Sequence, residues 1–374
     1  MEFKINSNEL SKKLGQLTKV VLPKNVVPIL DDVMIDIRGD VAVLTASDGE
    51  LWLSLKCRLV SSDGNAKLCV NAKDLFSLMS NIDNDVTIAV DEDTRQITCN
   101  YGNGEFSMPY EQADEYPSSN DIGGGMNSVI VDGGKIHNAI NMTEFAVSTN
   151  VNTTAVSPQL GGLHFSFGEN GLCVSATDKF VVAIYNDNTI ASAEGDVTIP
   201  RKTVSVLNSI LAGLDGEIKM SYNKSYISVN NSDFKLSSRL IELAFPNCKS
   251  VIPQTSTLVA TVKKNDILLA IKRVCPMSND ISELIVMTFE NGNVTLSSED
   301  KMYGKCASET VACDCNQSMK IGFKGSCLND VIRNIKDDDI TIELSDAYRA
   351  GVFYAASSYT KDEFISLLSP STLQ

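Results

Sequence analysis

The sequence of 374 residues contains only two histidines and one tryptophan, and it lacks the usual equipment of an enzyme. Neither His137 nor His164 has a cysteine or serine at a spacing typical of nucleophilic catalysis. The triple glycine at 123–125 is not followed by the Lys-Ser/Thr of a phosphate-binding loop. Acidic runs at 91–93 and 337–339 fall in expected turns, where solvated charge is the default. We therefore predict no catalytic residue and no cofactor, with a carboxylate-dependent hydrolase as the enzyme alternative.

Long apolar runs and a signal peptide are also missing. No uninterrupted stretch of about 18 apolar residues occurs, and residues 1–4 lead into a polar segment. Of the ten cysteines, only Cys313 and Cys315 lie close together, without the second pair that a zinc site needs. The sequence thus predicts a cytoplasmic chain with no membrane segment, no bound metal, and reduced, buried cysteines.

The composition is that of a folded globular protein, with 43% hydrophobic and 21% charged residues. Chains longer than roughly 250 residues usually fold as more than one domain, so two or three domains are expected. Two signatures recur at long period and indicate three copies of one unit. A strand that ends in a small, polar and acidic turn occurs at 44–48, 174–178 and 296–300. A strand followed by a short helical pattern occurs at 70–79, 199–207 and 321–332.

Each copy combines helical and strand-like patterns. Apolar residues three or four positions apart open each copy, as at Leu10, Leu14 and Leu17, whereas 86–90 and 340–344 alternate with a period of two. Hairpin turns are predicted at 63–64, 103–104, 170–171 and 291–292, where Asn-Gly or Asp-Gly pairs occur. The fold class is therefore α+β, with two helices on antiparallel sheets in each of three domains. Their predicted bounds are 1–122, 123–252 and 253–374.

Charge is divided between helices and strands. The formal net charge is −15, from 32 Lys and Arg against 47 Asp and Glu. The predicted helical windows hold fourteen Lys and Arg but only five Asp and Glu; they are 7–19, 73–82, 135–145, 201–211, 263–274 and 324–336. Solvent-exposed helix surfaces often carry lysine and arginine in any protein. Such surfaces also favour Glu, however, and Glu is scarce in these six windows.

This division of charge predicts contact with nucleic acid. Three repeats placed side by side, each with cationic helices on an acidic sheet, would have one positive face. If that face curled inward, it would form a channel for duplex DNA, contacted through phosphates without reading the base sequence. A β-rich repeat scaffold that does not bind DNA is the alternative, but it gives no reason for positive charge to collect on helices.

Six segments then match one known family in their order along the chain. They are Met1-Glu2-Phe3-Lys4-Ile5, Val27-Pro28-Ile29-Leu30, Asp114-Glu115-Tyr116-Pro117, Ala176-Thr177-Asp178, Ile199-Pro200-Arg201-Lys202, and Arg239-Leu240-Ile241-Glu242 with Phe245-Pro246. Together they resemble the bacterial replicative sliding clamp, the beta subunit of DNA polymerase III, over essentially the whole chain. The resemblance implies three domains of the DNA-clamp fold and a head-to-tail homodimer that closes into a ring around double-stranded DNA.

The resemblance also implies partners and a peptide-binding site. Its expected partners are a clamp loader complex, the DNA polymerase III alpha subunit and other proteins with clamp-binding motifs. The peptide-binding residues implied here are Leu160, Thr177, Lys179, Phe180, Val181, Val182, Pro246, Val251, Leu367, Ser369 and Pro370. Two segments depart from the family. Lys179-Phe180-Val181-Val182 replaces the usual Gly-His-Arg-Leu, and Ser369-Pro370-Ser371 replaces a common Met-Pro-Met.

The DNA-binding and dimer contacts follow from the helices and from the resemblance. The expected DNA-binding residues are Lys12, Lys13, Lys19, Lys24, Lys73, Lys135, Arg201, Lys202, Lys263, Lys264, Lys272, Arg273, Lys324 and Arg333. The implied dimer interface sets Leu78, Phe106 and Met108 of the first domain against Pro276 and Met277 of the third. An acidic set that the family has in its third domain maps poorly onto 301–305, so hydrophobic burial is expected to dominate this interface.

Overall fold

The structure is a computed structural model that describes residues 1–118, 127–190 and 194–373. Within these residues, no helix combines the length and apolar character that a membrane crossing requires. The predicted boundary between the first and second domains, at 122/123, and the triple glycine beside it lie outside the described residues. Three repeats with helices and antiparallel strands are present, as the sequence predicts.

The first repeat contains helices α1 and α2 and strands β1 to β10. In chain order they are β1 (Glu2–Asn6), α1 (Ser7–Leu17), β2 (Asp32–Arg38), β3 (Val41–Ser47), β4 (Leu51–Arg58), β5 (Ser61–Ser62), β6 (Ala66–Asn71), α2 (Ala72–Met79), β7 (Asp85–Asp91), β8 (Gln96–Tyr101), β9 (Gly104–Pro109) and β10 (Glu111–Gln112). Asn6 and Asn71 cap the two helices, because their side-chain oxygens accept the N–H groups of Glu9 and Asp74 at 3.1 Å.

The second repeat contains helices α3 to α5 and strands β11 to β18. They are β11 (Asn127–Asp132), α3 (Gly133–Thr143), α4 (Val151–Val156), β12 (Gly162–Gly168), β13 (Gly171–Thr177), β14 (Val181–Asp187), β15 (Gly195–Pro200), α5 (Arg201–Leu211), β16 (Glu217–Tyr222), β17 (Tyr226–Asn230) and β18 (Phe234–Arg239). The short helix α4 was not predicted. Its sequence, VNTTAV, buries none of its residues and therefore has no apolar periodicity to detect.

The third repeat contains helices α6 and α7 and strands β19 to β26. They are β19 (Leu258–Lys263), α6 (Lys264–Val274), β20 (Leu284–Glu290), β21 (Asn293–Asp300), β22 (Lys305–Cys315), β23 (Met319–Lys324), α7 (Gly325–Asn334), β24 (Asp339–Leu344), β25 (Gly351–Ala355) and β26 (Phe364–Leu368). All six predicted helical windows contain helices, although Lys19 and Lys336 lie beyond the ends of α1 and α7. Helix ends are the least certain part of a prediction from periodicity.

The chain packs into two compact units whose limits differ from the predicted domain bounds. The first comprises Met1–His137 and Lys202–Leu240, and the second comprises Asn138–Arg201 and Ile241–Gln374. In the first unit, β18 of the second repeat pairs with β4 of the first, giving a nine-stranded sheet ordered β10-β6-β2-β3-β4-β18-β17-β16-β11. In the second unit, β14 pairs with β26 of the third repeat within a twelve-stranded sheet. The second repeat thus contributes strands to both units.

The core of the first repeat lies between two sheets and the helices. Leu10 of α1 and Leu75 of α2 meet Phe3 and Ile88 of the five-stranded sheet β5-β1-β7-β8-β9 around a small apolar void. Side chains of the nine-stranded sheet, among them Leu44, close the other side. The periodic leucines of α1 are buried, as their spacing predicts.

Three of the four predicted hairpin turns differ from the structure. Asp63-Gly64 does not join a hairpin, because β5 pairs with β1 whereas β6 pairs with β2 and β10. The hairpin between β8 and β9 exists, but Gly104 pairs with Tyr101, so the turn residues are Gly102 and Asn103. The hairpin between β12 and β13 also exists, but Gly168 pairs with Gly171, so the turn residues are Glu169 and Asn170. The Asn291-Gly292 turn is confirmed, with φ of 52° and 75°.

Candidate functional site

An apolar groove opens on the second unit beside the turn between β13 and β14. Nine of the eleven residues implied for peptide binding line it: Leu160, Thr177, Lys179, Phe180, Val182, Pro246, Val251, Leu367 and Ser369. Val182 and Leu367 face each other in register on β14 and β26. Both belong to a buried cluster with Ile184 and Ile365, so the floor of the groove is part of the core of the unit.

The turn at residues 177–180 forms one edge of this groove. The Asp178 carboxylate accepts the N–H of Phe180 at 2.9 Å and that of Val181 at 2.7 Å. The Thr177 hydroxyl accepts the N–H of Lys179 at 3.1 Å and donates to the Val181 carbonyl at 2.7 Å. With the backbone held in this way, the Phe180 side chain is 63% exposed at the edge of the groove. Such an exposed ring beside an apolar floor is typical of a binding surface.

Thiols near the groove floor remain protonated at neutral pH. Burial raises the pKa of the Cys248 thiol to about 11, opposed by its hydrogen bond with Ser175. Burial also raises the pKa of the Cys173 thiol, which packs against the same cluster, while nearby Lys249 opposes the shift. Both side chains therefore act as small apolar groups rather than as nucleophiles.

The lining of the groove differs from the prediction at two predicted residues that are absent and at five residues that were not predicted. Val181 does not line the groove, because neighbouring residues of a strand point to opposite faces and Val182 occupies the groove face. Pro370 is also absent from the lining. Five residues that the prediction missed do line it: Ser157, Gln159, Asn247, Cys248 and Ala350. Asn247 and Cys248 could be predicted, because they lie in sequence between the predicted groove residues Pro246 and Val251. No comparable sequence signal marks Ala350, which follows a loop.

Six of the fourteen expected DNA-binding residues already have partners in their own unit. Lys202 Nζ lies 2.5 Å from Asp48 Oδ2 and donates to the Val20 carbonyl. The other five are Lys13 with Glu9, Lys263 with Asp339, Lys264 with the Ile335 carbonyl, Arg273 with Glu309, and Lys324 with Glu283. The sequence could not reveal these pairs, because most of the acidic partners lie far away along the chain.

Seven of the expected DNA-binding residues are exposed and form no ion pair within the described part of the chain: Lys12, Lys19, Lys24, Lys73, Arg201, Lys272 and Arg333. Lys12 lies on α1, Lys73 on α2, Arg201 on α5, Lys272 on α6 and Arg333 on α7. Lys19 and Lys24 follow α1. Each repeat thus keeps at least one cationic side chain on a helix that is available to an external anion.

The expected dimer contacts are only partly accessible. Leu78 and Met277 are each 37% exposed, whereas Met108 is buried within the first repeat. Phe106 is half-buried and Pro276 is exposed. In the third repeat, the buried Asp300 carboxylate accepts the N–H groups of Met302 and Tyr303. That carboxylate is thus engaged within its own turn.

The cysteines and histidines bear on the enzyme alternative. Cys306 is exposed on β22, so the expectation that the cysteines are buried is wrong at this position. Among the described residues, no group of three His, Cys, Asp or Glu side chains is placed to hold a metal ion. His164 stacks on Phe245 with ring centres 4.6 Å apart, and its Nδ1 lies 3.1 Å from the Thr198 hydroxyl. Burial lowers the pKa of His164, so the ring is a neutral packing element.

Family comparison covers nearly the whole chain. Models of the DNA polymerase III beta subunit match its N-terminal domain at residues 1–120, its central domain at 131–247 and its C-terminal domain at 249–362. The chain is 24% identical over 361 residues to the beta sliding clamp of Pseudomonas aeruginosa, covering 96% of this chain and 97% of that one. It is 23% identical over 354 residues to the beta sliding clamp of Staphylococcus epidermidis, covering 92% of each.

Solved structures show the same fold. The DnaN sliding clamp of Pseudomonas aeruginosa bound to griselimycin superposes with a TM-score of 0.92 at 23% identity, covering 100% of both chains. The DNA polymerase III beta subunit of Thermotoga maritima superposes with a TM-score of 0.91 at 19% identity, again over 100% of both chains. The predicted fold of three repeated clamp domains is thereby confirmed.

Proposed function

Since the chain belongs to the DNA polymerase III beta subunit family, we propose that it acts as a sliding clamp that encircles duplex DNA and tethers the replicative polymerase to it. The match of all three family domains, in order and over nearly the whole chain, carries this proposal. The function is topological. A closed ring stays on a long duplex even when its contacts with the DNA are weak, and weak contacts with phosphates permit sliding.

The proposed ring is a head-to-tail homodimer in which the first domain of one subunit meets the third domain of the other. Leu78, Phe106, Pro276 and Met277 supply its apolar contacts. We place the domain bounds at 1–122, 123–252 and 253–374. An ATP-driven clamp loader opens and closes the ring, and the chain itself performs no catalysis. Because the DNA that it encircles is the chromosome, the clamp works in the cytoplasm.

Solution mass tests the ring directly. We expect a particle of about twice 40.5 kDa by light scattering at micromolar concentration, since closure needs two subunits. Replacing Met277 with Asp should shift the mass toward one subunit, because burying an unpaired charge opposes association. A monomeric wild-type protein would contradict the ring.

The groove on the second unit is the proposed binding site for short peptides of the polymerase alpha subunit and other clamp-binding proteins. Its floor is apolar and buried, and Phe180 and Val251 stand exposed at its edges. Apolar anchors of a peptide would fill it, as is common in peptide grooves. Tethering through this groove raises the effective concentration of the polymerase at the primer end.

Phe180 offers the cleanest test of the groove. Phe180→Ala should weaken binding of a fluorescent peptide with two leucines and one phenylalanine by about tenfold, because an exposed aromatic anchor is removed. Anisotropy titration measures the effect, and Tyr348→Ala is the matched control because Tyr348 is 86% exposed outside the groove. Leu367→Ala is less suitable, since Leu367 is 1% exposed and its truncation would cost about 2–5 kcal/mol of stability. Equal affinities of the Phe180→Ala variant and the wild type would place the peptide elsewhere.

The available cationic side chains on the helices should carry the electrostatic attraction for DNA. Replacing Lys12, Lys73, Lys272 and Arg333 with Ala should reduce the salt dependence of binding to a short duplex. The slope of log affinity against log salt should fall by about one for each phosphate that is left without a cationic partner. Four exposed strand and turn residues provide a control with the same change in charge: Arg58, Lys67, Lys219 and Lys224. An equal drop in slope for the control variant would show that net charge, rather than the helices, governs binding.

A further inference from the structure

The turn at the edge of the groove places a lysine where backbone geometry favours glycine. Lys179 has φ of 89°, in the left-handed region that side chains with a Cβ rarely adopt. The corresponding turn of the first repeat has Gly49 at φ of 90°. The two turns share their hydrogen bonds: Ser47 and Asp48 accept the N–H groups of Gly49, Glu50 and Leu51, as Thr177 and Asp178 do at 179–181.

The comparison between repeats separates backbone strain from packing. A Cβ at Gly49 would meet no atom within 4 Å, so the turn disfavours a side chain through its backbone alone. The matching hydrogen bonds of the second repeat hold Lys179 in this conformation. A residue kept in a disfavoured conformation at a binding surface suggests that its side chain has a function there.

The surroundings of Lys179 indicate what that side chain can bind. It is exposed, and in the part of the chain that the structure describes no carboxylate lies within ion-pair distance of its amine. The neighbouring Asp178 carboxylate is already engaged by two backbone N–H groups. Lys179 lines a groove whose floor is apolar, next to the exposed ring of Phe180. A cation at the edge of an apolar groove attracts an anion that flanks an apolar anchor.

We propose that Lys179 is a specificity-determining residue that binds an acidic side chain flanking the apolar anchors of the peptide. This inference rests on the proposed peptide-binding function of the groove. The preferred partner is then a short peptide in which Asp or Glu lies beside leucine or phenylalanine. Because Lys179 is solvent-exposed, the contact contributes selectivity that weakens as salt rises.

Paired peptides test the selectivity. A peptide with two leucines and one phenylalanine is synthesised with a single Asp moved one position at a time, and an Asn series provides the uncharged controls. At low salt, the wild-type protein should prefer Asp to Asn by about fivefold at one or two positions. This preference should vanish in Lys179→Gln, which removes the charge, and in Lys179→Gly, which also relieves the backbone. Lys179→Arg should restore it.

The two series distinguish failure of this inference from failure of the groove. If the wild type binds both series with equal affinity, or if Lys179→Gln keeps the preference for Asp, the role of Lys179 is overturned while the peptide groove stands. If neither series binds the wild type, the groove assignment fails and this inference fails with it. Circular dichroism verifies that each variant is folded, and the ratio of Asp to Asn affinity reports on charge rather than on stability.

Discussion

After a single cut in a circular duplex, the protein should leave the DNA at least about a hundred times faster than it leaves the intact circle. Release from the circle is expected to be slow because protein interfaces can persist for hours. On the circle, departure of the proposed ring would require its dimer interface to open. On linear DNA, sliding to an end would suffice for a ring whose contacts with phosphates are weak and independent of sequence, as we propose.

Gel filtration of DNA-bound protein before and after restriction cleavage measures this release. A nicked circle is the control, since it loses supercoiling but has no duplex end. Blocking both ends of the linear DNA with a bulky bound protein should restore retention. Equal release from circular and linear DNA at moderate salt would refute encirclement, whatever the affinity measured on short duplexes.

Asp48→Ala should lower the free energy of unfolding by about 3 kcal/mol, since it removes the acceptor of two backbone N–H groups and the anionic partner of a half-buried lysine. The Asp48 side chain is only 9% exposed. It accepts the N–H groups of Glu50 and Leu51, and its second oxygen lies 2.5 Å from Lys202 Nζ. Asp48 thus ties the turn after β3 to helix α5 of the neighbouring repeat.

Urea unfolding monitored by circular dichroism measures this decrease. Lys202→Ala should also destabilise the protein, whereas Arg201→Ala on the same helix should leave stability within about 0.5 kcal/mol, as exposed substitutions usually do. A stable Lys202→Ala variant with weakened DNA binding would instead return Lys202 to the set of available cations. This pair of lysine and arginine variants therefore separates a packing role from a DNA-binding role at adjacent positions.

The three-repeat architecture could be predicted because each repeat carries local sequence signals. The buried leucines of α1 recur at helical spacing, and the turns at Asp48, Asp178 and Asp300 all use a carboxylate to accept two N–H groups further along the chain. Such signals depend on neighbouring residues and survive in a single sequence. The strand pairing of Ser61–Ser62 with β1 depends on distant residues, so the local Asp63-Gly64 signal gave the wrong turn.

The candidate sites could be predicted to different extents for the same reason. Most of the groove followed from family resemblance, yet Ala350 enters it only because β25 and β26 bring distant segments together. The charge pattern identified cationic helices but could not separate available side chains from paired ones. Lys263 and Arg273 are paired with Asp339 and Glu309, which lie 76 and 36 residues away. Such pairing is a property of the tertiary fold.

The shared sheets limit how the chain can be divided. Leu53 pairs with Leu236 across β4 and β18, and Val182 pairs with Leu367 across β14 and β26. A fragment cut at a boundary between repeats would leave one of these strands with a row of bare backbone donors and acceptors. Such unprotected edges promote aggregation, so single repeats are poor candidates for expression on their own. Cooperative unfolding should therefore follow the two units, each of which keeps its sheet ladder intact, and not the three sequence repeats.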